Sequence, residues 1–374
     1  MSWDSIISQQ RVKNLLRRMV EQQRLPHALL FFGPDGTGKD AMAIELARVL
    51  NCASGLPDAC GVCASCQSMD TLRHPHLRLV FALPSKDDEA GALDKLTADE
   101  LEEVNAQIDE KAANHYHHFS VPKASGIKIS SIRDIRKEAA FRAEGRGRTV
   151  VLITEAERMN PSAANALLKT LEEPGGDLLL ILTTARKEAL LPTIVSRCQS
   201  IRFDPLRMED VRNALISRAG IAPDVAENAA RLANGSYAAA LDLAASGNTL
   251  GRDVLLEYIR AVVLMHPVKL HTCIQTVIGK DDRLAAIRFL VSVASWFRDV
   301  IAVIEHAGDR MINTDLKDPI ERFAAHYPDV RCSDAIAEIE RVIEMIRKNV
   351  HLVNMMIVLS QRLRKCIVNP LPGP

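Results

Sequence analysis

Unbroken apolar runs occupy the first half of this chain, and striped helical segments fill the rest. "HALLFFG" (His27 to Gly33) is a continuous apolar stretch ending in glycine, the pattern of a strand buried on both faces of a parallel sheet. The following "DAMAIELARVL" sets Met42, Ala43, Leu46, Ala47, Val49 and Leu50 near helical spacing. Further strands are expected at "TVVLIT" (Thr149 to Thr154), "LLLILT" (Leu178 to Thr183) and "SIRF" (Ser200 to Phe203). Helical segments such as "SIRDIRKEAAFRAEG" and "SAANALLKTLEE" separate them. This alternation predicts a doubly wound α/β domain. After about residue 205 the strand signal stops, and "LAAIRFLVSVASWFRDVIAVIEHAG" and "AIAEIERVIEMIRKNVHLVNMMIVLSQRL" predict helices. The expected order is α/β, then all-α.

At 374 residues the chain has room for two or three domains. Lys+Arg and Asp+Glu balance at 47 each, so no global basic field marks a nucleic-acid binder, and any DNA contact must come from a local face or from partners. The opening "MSWDSIISQQ" has no apolar signal-peptide core, and no later stretch offers the roughly 18 uncharged apolar residues of a membrane span. The chain therefore reads as cytoplasmic, without a membrane partner.

Four of the eight cysteines cluster: Cys52, Cys60, Cys63 and Cys66. Two tight C-x-x-C steps sharing Cys63 suit a tetrahedral structural zinc with no open position. Unligated packed thiols and an iron–sulfur cluster are the alternative readings. Between Lys86 and Lys111, ten acidic residues face three lysines, a local charge of −7. This acidic insertion, about 84–120, reads as a solvated lengthening of a loop. Within it Thr97 and Glu100 form a capping-box start, with Leu101, Val104 and Ile108 on one helical face. The histidines of "HYHH" (His115 to His118) are expected to be exposed rather than ligands.

"GPDGTGKD" (residues 33 to 40) follows a strand and opens a helix, the setting that a phosphate-binding loop requires. Gly33, Gly36 and Gly38 would turn backbone N–H groups onto phosphate at a helix N-terminus, and Lys39 would reach the β and γ phosphates. Asp40 stands where a Ser or Thr hydroxyl should meet magnesium. At the end of "TVVLIT" the expected metal-holding Asp is Thr154, while Glu155 keeps the place of the water-polarising acid. One carboxylate is missing at 154 and one has appeared at 40, so Asp40 is expected to replace part of the lost metal ligation. A plain strand-to-helix turn without ligand is the competing reading.

"PHALLFFGPDGTGKD", the cysteine module after the first helix, "NALLKTLEEPGG" (Asn165 to Gly176), "LTTARKEALLPTIVSRCQSIRF" and "NGSYAAALDL" occur in the order of bacterial clamp-loader subunits. The chain resembles this AAA+ family of the DNA polymerase III holoenzyme over residues 1 to about 245; "NVHLVNMMIVLSQRL" is similar to the family's last collar helix. The resemblance implies a RecA-like AAA+ domain over 1–205 with an embedded zinc module (52–66). A helical lid (206–248) and a C-terminal helical collar (249–374) would follow, packed into a hetero-pentameric ring. Arg197 of "SRC" matches the arginine finger that acts in trans on a neighbour's γ-phosphate. Thr183 or Thr184 fits the polar sensor at the end of its strand.

Three departures separate the chain from the gamma/tau motor subunits. Ala238 of "GSYAAAL" stands where motors carry the second-sensor arginine, and Thr154 and Asp40 alter two further ATPase parts. A subunit that keeps the finger while losing its own machinery follows the delta-prime pattern. The expected partners are delta and gamma/tau, with the sliding clamp and primed DNA reached through the complex. Own ATPase activity is expected to be weak or absent, and ATP with magnesium is a candidate ligand. An active ATPase of the gamma/tau type is the alternative.

Overall fold

The computed structural model describes residues 3–55, 57–84, 96–122, 124–140, 147–175, 177–245, 248–279, 283–307, 311–346 and 352–368. The chain forms two compact units, residues 1–214 with 234–238, and residues 215–233 with 239–374. Among the described residues no helix is long and apolar enough to cross a membrane.

Among the described residues the first unit has seven strands: β1 (Ala28–Phe32), β2 (Leu77–Val80), β3 (Leu83–Pro84), β4 (Ala124–Gly126), β5 (Thr149–Ile153), β6 (Leu178–Thr184) and β7 (Gln199–Arg202). Five make a sheet of order β2-β5-β6-β1-β7 whose pairings are all parallel; β3 and β4 form a separate antiparallel pair. Every residue of the central β6 is buried, and β1 is buried over its first four. Only one residue of the edge strand β7 is buried. Helices on both faces explain why β1 and β6 read as unbroken apolar runs.

Alternate residues of the sheet feed two cores, as the period of two demands. Leu29, Phe31, Leu152, Leu179 and Ile181 face Trp3, Leu16, Met42, Leu46 and Val49. Leu30, Val151, Ile153, Leu180 and Leu182 face Ile132, Leu167, Leu171 and Ile194 on the other side. Burial of each such side chain contributes roughly 1.5–3 kcal/mol. That layering holds the C-terminal ends of β1, β5 and β6 side by side, at residues 32, 153 and 184. Parallel α/β sheets place their ligands at that edge.

The acidic stretch differs from the expected solvated loop. Residues 85–95 lie outside the described residues, but Ala98–Ala113 is a helix whose Thr97–Glu100 capping box is formed. Val104 joins Phe81, Leu83, Phe119 and Val121 in a small core of its own, with Phe81 and Phe119 stacked 4.1 Å apart. The charge lies on the helix's other faces, and Leu101, predicted to share the apolar stripe, is exposed.

In the second unit the described structure is helical throughout. Tyr258, Leu290, Trp296, Phe297, Ile339, Met356 and Leu359 lie in one core. Within it the Tyr258 hydroxyl meets Ser360 at 2.9 Å, and the Asp299 carboxylate accepts from the Ile312 and Asn313 amides at 2.6 and 2.8 Å. The long C-terminal stripe resolves into helices Cys332–Ile346 and Leu352–Ile367, with 347–351 outside the described residues.

Candidate nucleotide and metal sites

The glycine loop leaves β1 through Gly33, whose amide donates to Thr184 at 3.2 Å. Gly33 has φ +146°, and a Cβ there would lie 2.2 Å from the Phe203 carbonyl oxygen, so this exit requires glycine. Gly38, at φ +93°, is the N-cap of the helix Lys39–Asn51. The segment after the expected lid boundary returns to this loop. The Tyr237 amide donates to the Gly36 carbonyl at 3.0 Å, and a Cβ on Gly36 would come within 3.1 Å of the Ala238 methyl group. Ala238, at the position where the resemblance expects a second-sensor arginine, thus sits against the glycine loop with a methyl group.

Lys39 is folded into its own loop, donating to the carbonyls of Gly33 and Pro34 at 2.7 Å each. Burial lowers its pKa, opposed by Asp35 and Asp40. Asp40 has both oxygens engaged: Oδ1 accepts from Thr183 Oγ1 at 2.7 Å and Oδ2 from Lys111 Nζ at 2.7 Å. Burial pushes the Asp40 carboxyl up, but the Lys111 ammonium and the two hydrogen bonds prevail and hold it below the usual carboxylate range. Lys111 is 1% exposed; it also donates to the His117 carbonyl and lies 5.5 Å from the Phe119 ring centroid. Thr183 is therefore beside the loop as expected, but its hydroxyl is turned to Asp40.

The "HYHH" segment is not simply exposed. His115 and Tyr116 are buried; the Tyr116 hydroxyl accepts from the Ile7 amide at 2.9 Å and would lie 3.0 Å from a Cβ on Gly38. Neither Lys111 nor Tyr116 belongs to a nucleotide motif. The available signal was the buried face of the capped helix, whose last turn contains Lys111.

Glu155, just after β5, has a left-handed backbone with φ 48°. Its carboxylate pairs with His118 at 3.0 Å and Arg158 at 3.1 Å. Burial would raise its pKa, yet His118 and Arg158 bring it down to about 2. Thr154 is buried, with its hydroxyl unpartnered among the described residues. Arg197 stands apart from the loop cluster: it ends the helix Pro192–Arg197, donates to Glu172 at 2.8 Å and Thr193 at 3.1 Å, and keeps 37% of its side chain exposed.

The sulfurs of Cys52, Cys60, Cys63 and Cys66 all lie within 4.8 Å of one another, with Cys60 and Cys66 4.0 Å apart. Backbone amides already face three of them: Cys60 donates to Cys52 at 3.2 Å, Cys63 to Cys60 at 3.4 Å and Cys66 to Cys63 at 3.5 Å. Amide N–H groups aimed at sulfur stabilise thiolates, and four sulfurs at this spacing fit the tetrahedral shell of a structural zinc.

Glu155 raises the pKa of His118 to about 9, against the opposing effect of burial. His118 thus supports the fold fully below pH 6.5 and loses its contribution as pH rises through about 9. Glu155 supports it above pH 4.5 and loses its contribution as pH falls through about 2. The pair is at full strength between those limits, from pH 4.5 to 6.5. Because the His118 side chain is 45% exposed, solvent weakens the effect. In an NMR titration the His118 ring should have its midpoint above 6.5, approaching 9, and Glu155→Gln should return it towards 6.5; a wild-type midpoint at or below 6.5 would contradict the pairing.

The family described as "DNA polymerase III, delta subunit" matches residues 8–207. The chain is 26% identical to the DNA polymerase III subunit delta' of Bacillus subtilis (strain 168) over 352 residues, 93% of this chain and 94% of that protein. It is 35% identical to the delta' subunit of Pseudomonas aeruginosa over 173 residues, 46% of this chain and 41% of the relative. The tau subunit of Escherichia coli (strain K12) is 30% identical over 245 residues, covering 64% of this chain and 32% of tau. With more than half of its length matched, and with a five-stranded parallel sheet carrying a glycine loop after β1, the chain belongs to the DNA polymerase III delta-subunit family, in the clamp-loader group that includes delta' and gamma/tau.

Proposed function

We propose that this chain is a non-motor clamp-loader subunit of the delta' type, which presents Arg197 to ATP bound on a neighbouring gamma/tau subunit and joins delta in a hetero-pentameric ring. The ring places the sliding clamp on primed DNA in the cytoplasm. In this reading residues 206–248 act as the lid and 249–374 as the collar. The observation that carries it is the contrast between two sites. The loop's own machinery is compromised, with Ala238 against Gly36 and Asp40 occupied by Lys111 and Thr183, whereas Arg197 is exposed on a helix end with, among the described residues, only Glu172 and Thr193 as partners. A surface ion pair such as Arg197–Glu172 is worth little, about 0–1 kcal/mol, so a neighbour's phosphate can take the guanidinium from it.

A second reading, that the chain turns over its own ATP, draws support from the retained glycines and Lys39. The two are separated by assaying the chain alone and within a reconstituted ring. Alone it should show no ATP turnover. In the ring, Arg197→Ala should lower clamp- and DNA-stimulated ATPase by about 3-fold or more, because a finger is worth roughly 10³–10⁵ at the site it serves. Arg197→Lys should not rescue it, since an ammonium lacks the planar fork. Unchanged ring turnover with normal assembly would contradict the proposal.

The four cysteines, on this reading, hold one structural zinc that ties the loop after Asn51 to the helix Ala64–Asp70. A zinc ion there would supply cross-linking and no chemistry, since four thiolates leave no open position. Metal analysis should find about one zinc per chain, and removing it with a chelator should lower the Tm by several degrees, at about 2–4 °C per kcal/mol for a chain of this size. A zinc-free chain with the same Tm would contradict the assignment.

A further inference from the structure

In a loop of the form G-x-x-x-x-G-K-[ST], the residue after the lysine holds magnesium through its hydroxyl. Here that residue is Asp40, and its carboxylate is bonded to a lysine ammonium and to Thr183. Magnesium requires near-octahedral oxygen ligands at about 2.0–2.1 Å. A lysine ammonium has three donors and no acceptor, so Lys111 cannot join such a shell, and its charge repels a dication beside it. The residues present therefore do not fit the metal that the loop's type implies.

We propose that Lys111 is the resident cation of this nucleotide site: held on Asp40, its ammonium takes the position of the divalent metal, and the loop receives nucleotide phosphates without magnesium. This rests on reading Gly33 to Asp40 as a phosphate loop, and it extends the subunit assignment to the ligand class: a metal-free nucleoside di- or triphosphate.

Three features make Lys111 a built part of the site. First, it is fixed from behind. The His117 carbonyl takes a second N–H, the Phe119 ring lies 5.5 Å away, and the small core around Val104 anchors the helix that carries it. Second, the third N–H has no acceptor among the described residues and is free to meet a phosphate oxygen. Third, the same insertion reaches the loop a second time, with Tyr116 against Gly38. The Asp40 carboxylate that would repel phosphate is neutralised by Lys111, and the Lys39 charge also favours its ionised form. Lys39 needs only to leave the Gly33 and Pro34 carbonyls to reach an incoming phosphate.

The test is calorimetric titration of the full chain with ATP, in magnesium and in EDTA, with turnover followed on the same samples. Lys111→Met alone would leave the half-buried Asp40 without its partner and risks unfolding, so the informative variant is Lys111→Met with Asp40→Ser, which removes both charges and restores the hydroxyl. Wild type should bind ATP about 10-fold or more tightly in EDTA than in magnesium, because magnesium ties up the metal-free nucleotide that the site accepts, and Lys39→Ala should abolish binding. The double variant, with folding checked by its melting curve, should bind about 10-fold or more tightly with magnesium than without. Wild-type binding in magnesium as tight as in EDTA, or tighter, would overturn the proposal. So would absence of wild-type binding in both buffers, or a folded double variant with no gain from magnesium. Magnesium-dependent binding without turnover would remove only this proposal, whereas magnesium-dependent turnover would also remove the non-motor reading.

Discussion

The buried ion pair between Lys111 and Asp40 is the interaction on which the nucleotide end of the molecule depends. It joins the first turn of the loop helix to the last turn of a helix 71 positions away, and Thr183 locks the free carboxylate oxygen from β6. Such a pair gives little net stability, but removing one partner leaves the other charge largely out of water and uncompensated. The pair therefore specifies an arrangement more than it strengthens the fold. With Lys111 in place, Asp40 is a neutralised anchor, and three elements converge on the glycine loop.

The rest of the site follows from that closure. Lys39 turns back onto the Gly33 and Pro34 carbonyls, Glu155 is held by His118 and Arg158, and Ala238 brings a methyl group to Gly36. Arg197 follows the opposite rule, with an exposed guanidinium and a weak surface partner. On the proposed account, this division lets the chain lend chemistry to a neighbour's site while contributing none at its own.

The α/β half was legible wherever a strand is buried on both faces, because "ALLFF" and "LLLILTT" carry an apolar signal with no competing period. The half-buried edge strand "LRLV" and the two-residue β3 lack that signal and were not anticipated. Thr97 announced its helix through capping chemistry, which is local. The use of that helix was hidden: a charge of −7 across the stretch masked the buried Val104, Gln107 and Lys111. Asp40 stood out as an anomaly at once, but its partner follows no fixed spacing. The sequence suggested a metal for that carboxylate, whereas the fold supplies an ammonium. The cysteines were legible because ligand spacing is itself local, and their sulfurs do converge.

Electron paramagnetic resonance of Mn²⁺ in the presence of ATP tests the central claim most directly, since manganese occupies magnesium sites and its spectrum reports the surrounding shell. If the Lys111 ammonium holds the metal position, adding the chain should produce no protein-bound Mn²⁺–nucleotide spectrum, and uptake of metal-free ATP should only release aquo Mn²⁺. A protein-bound Mn²⁺–nucleotide spectrum that disappears in Lys39→Ala would contradict the account, because it would put a divalent ion in the place assigned here to Lys111.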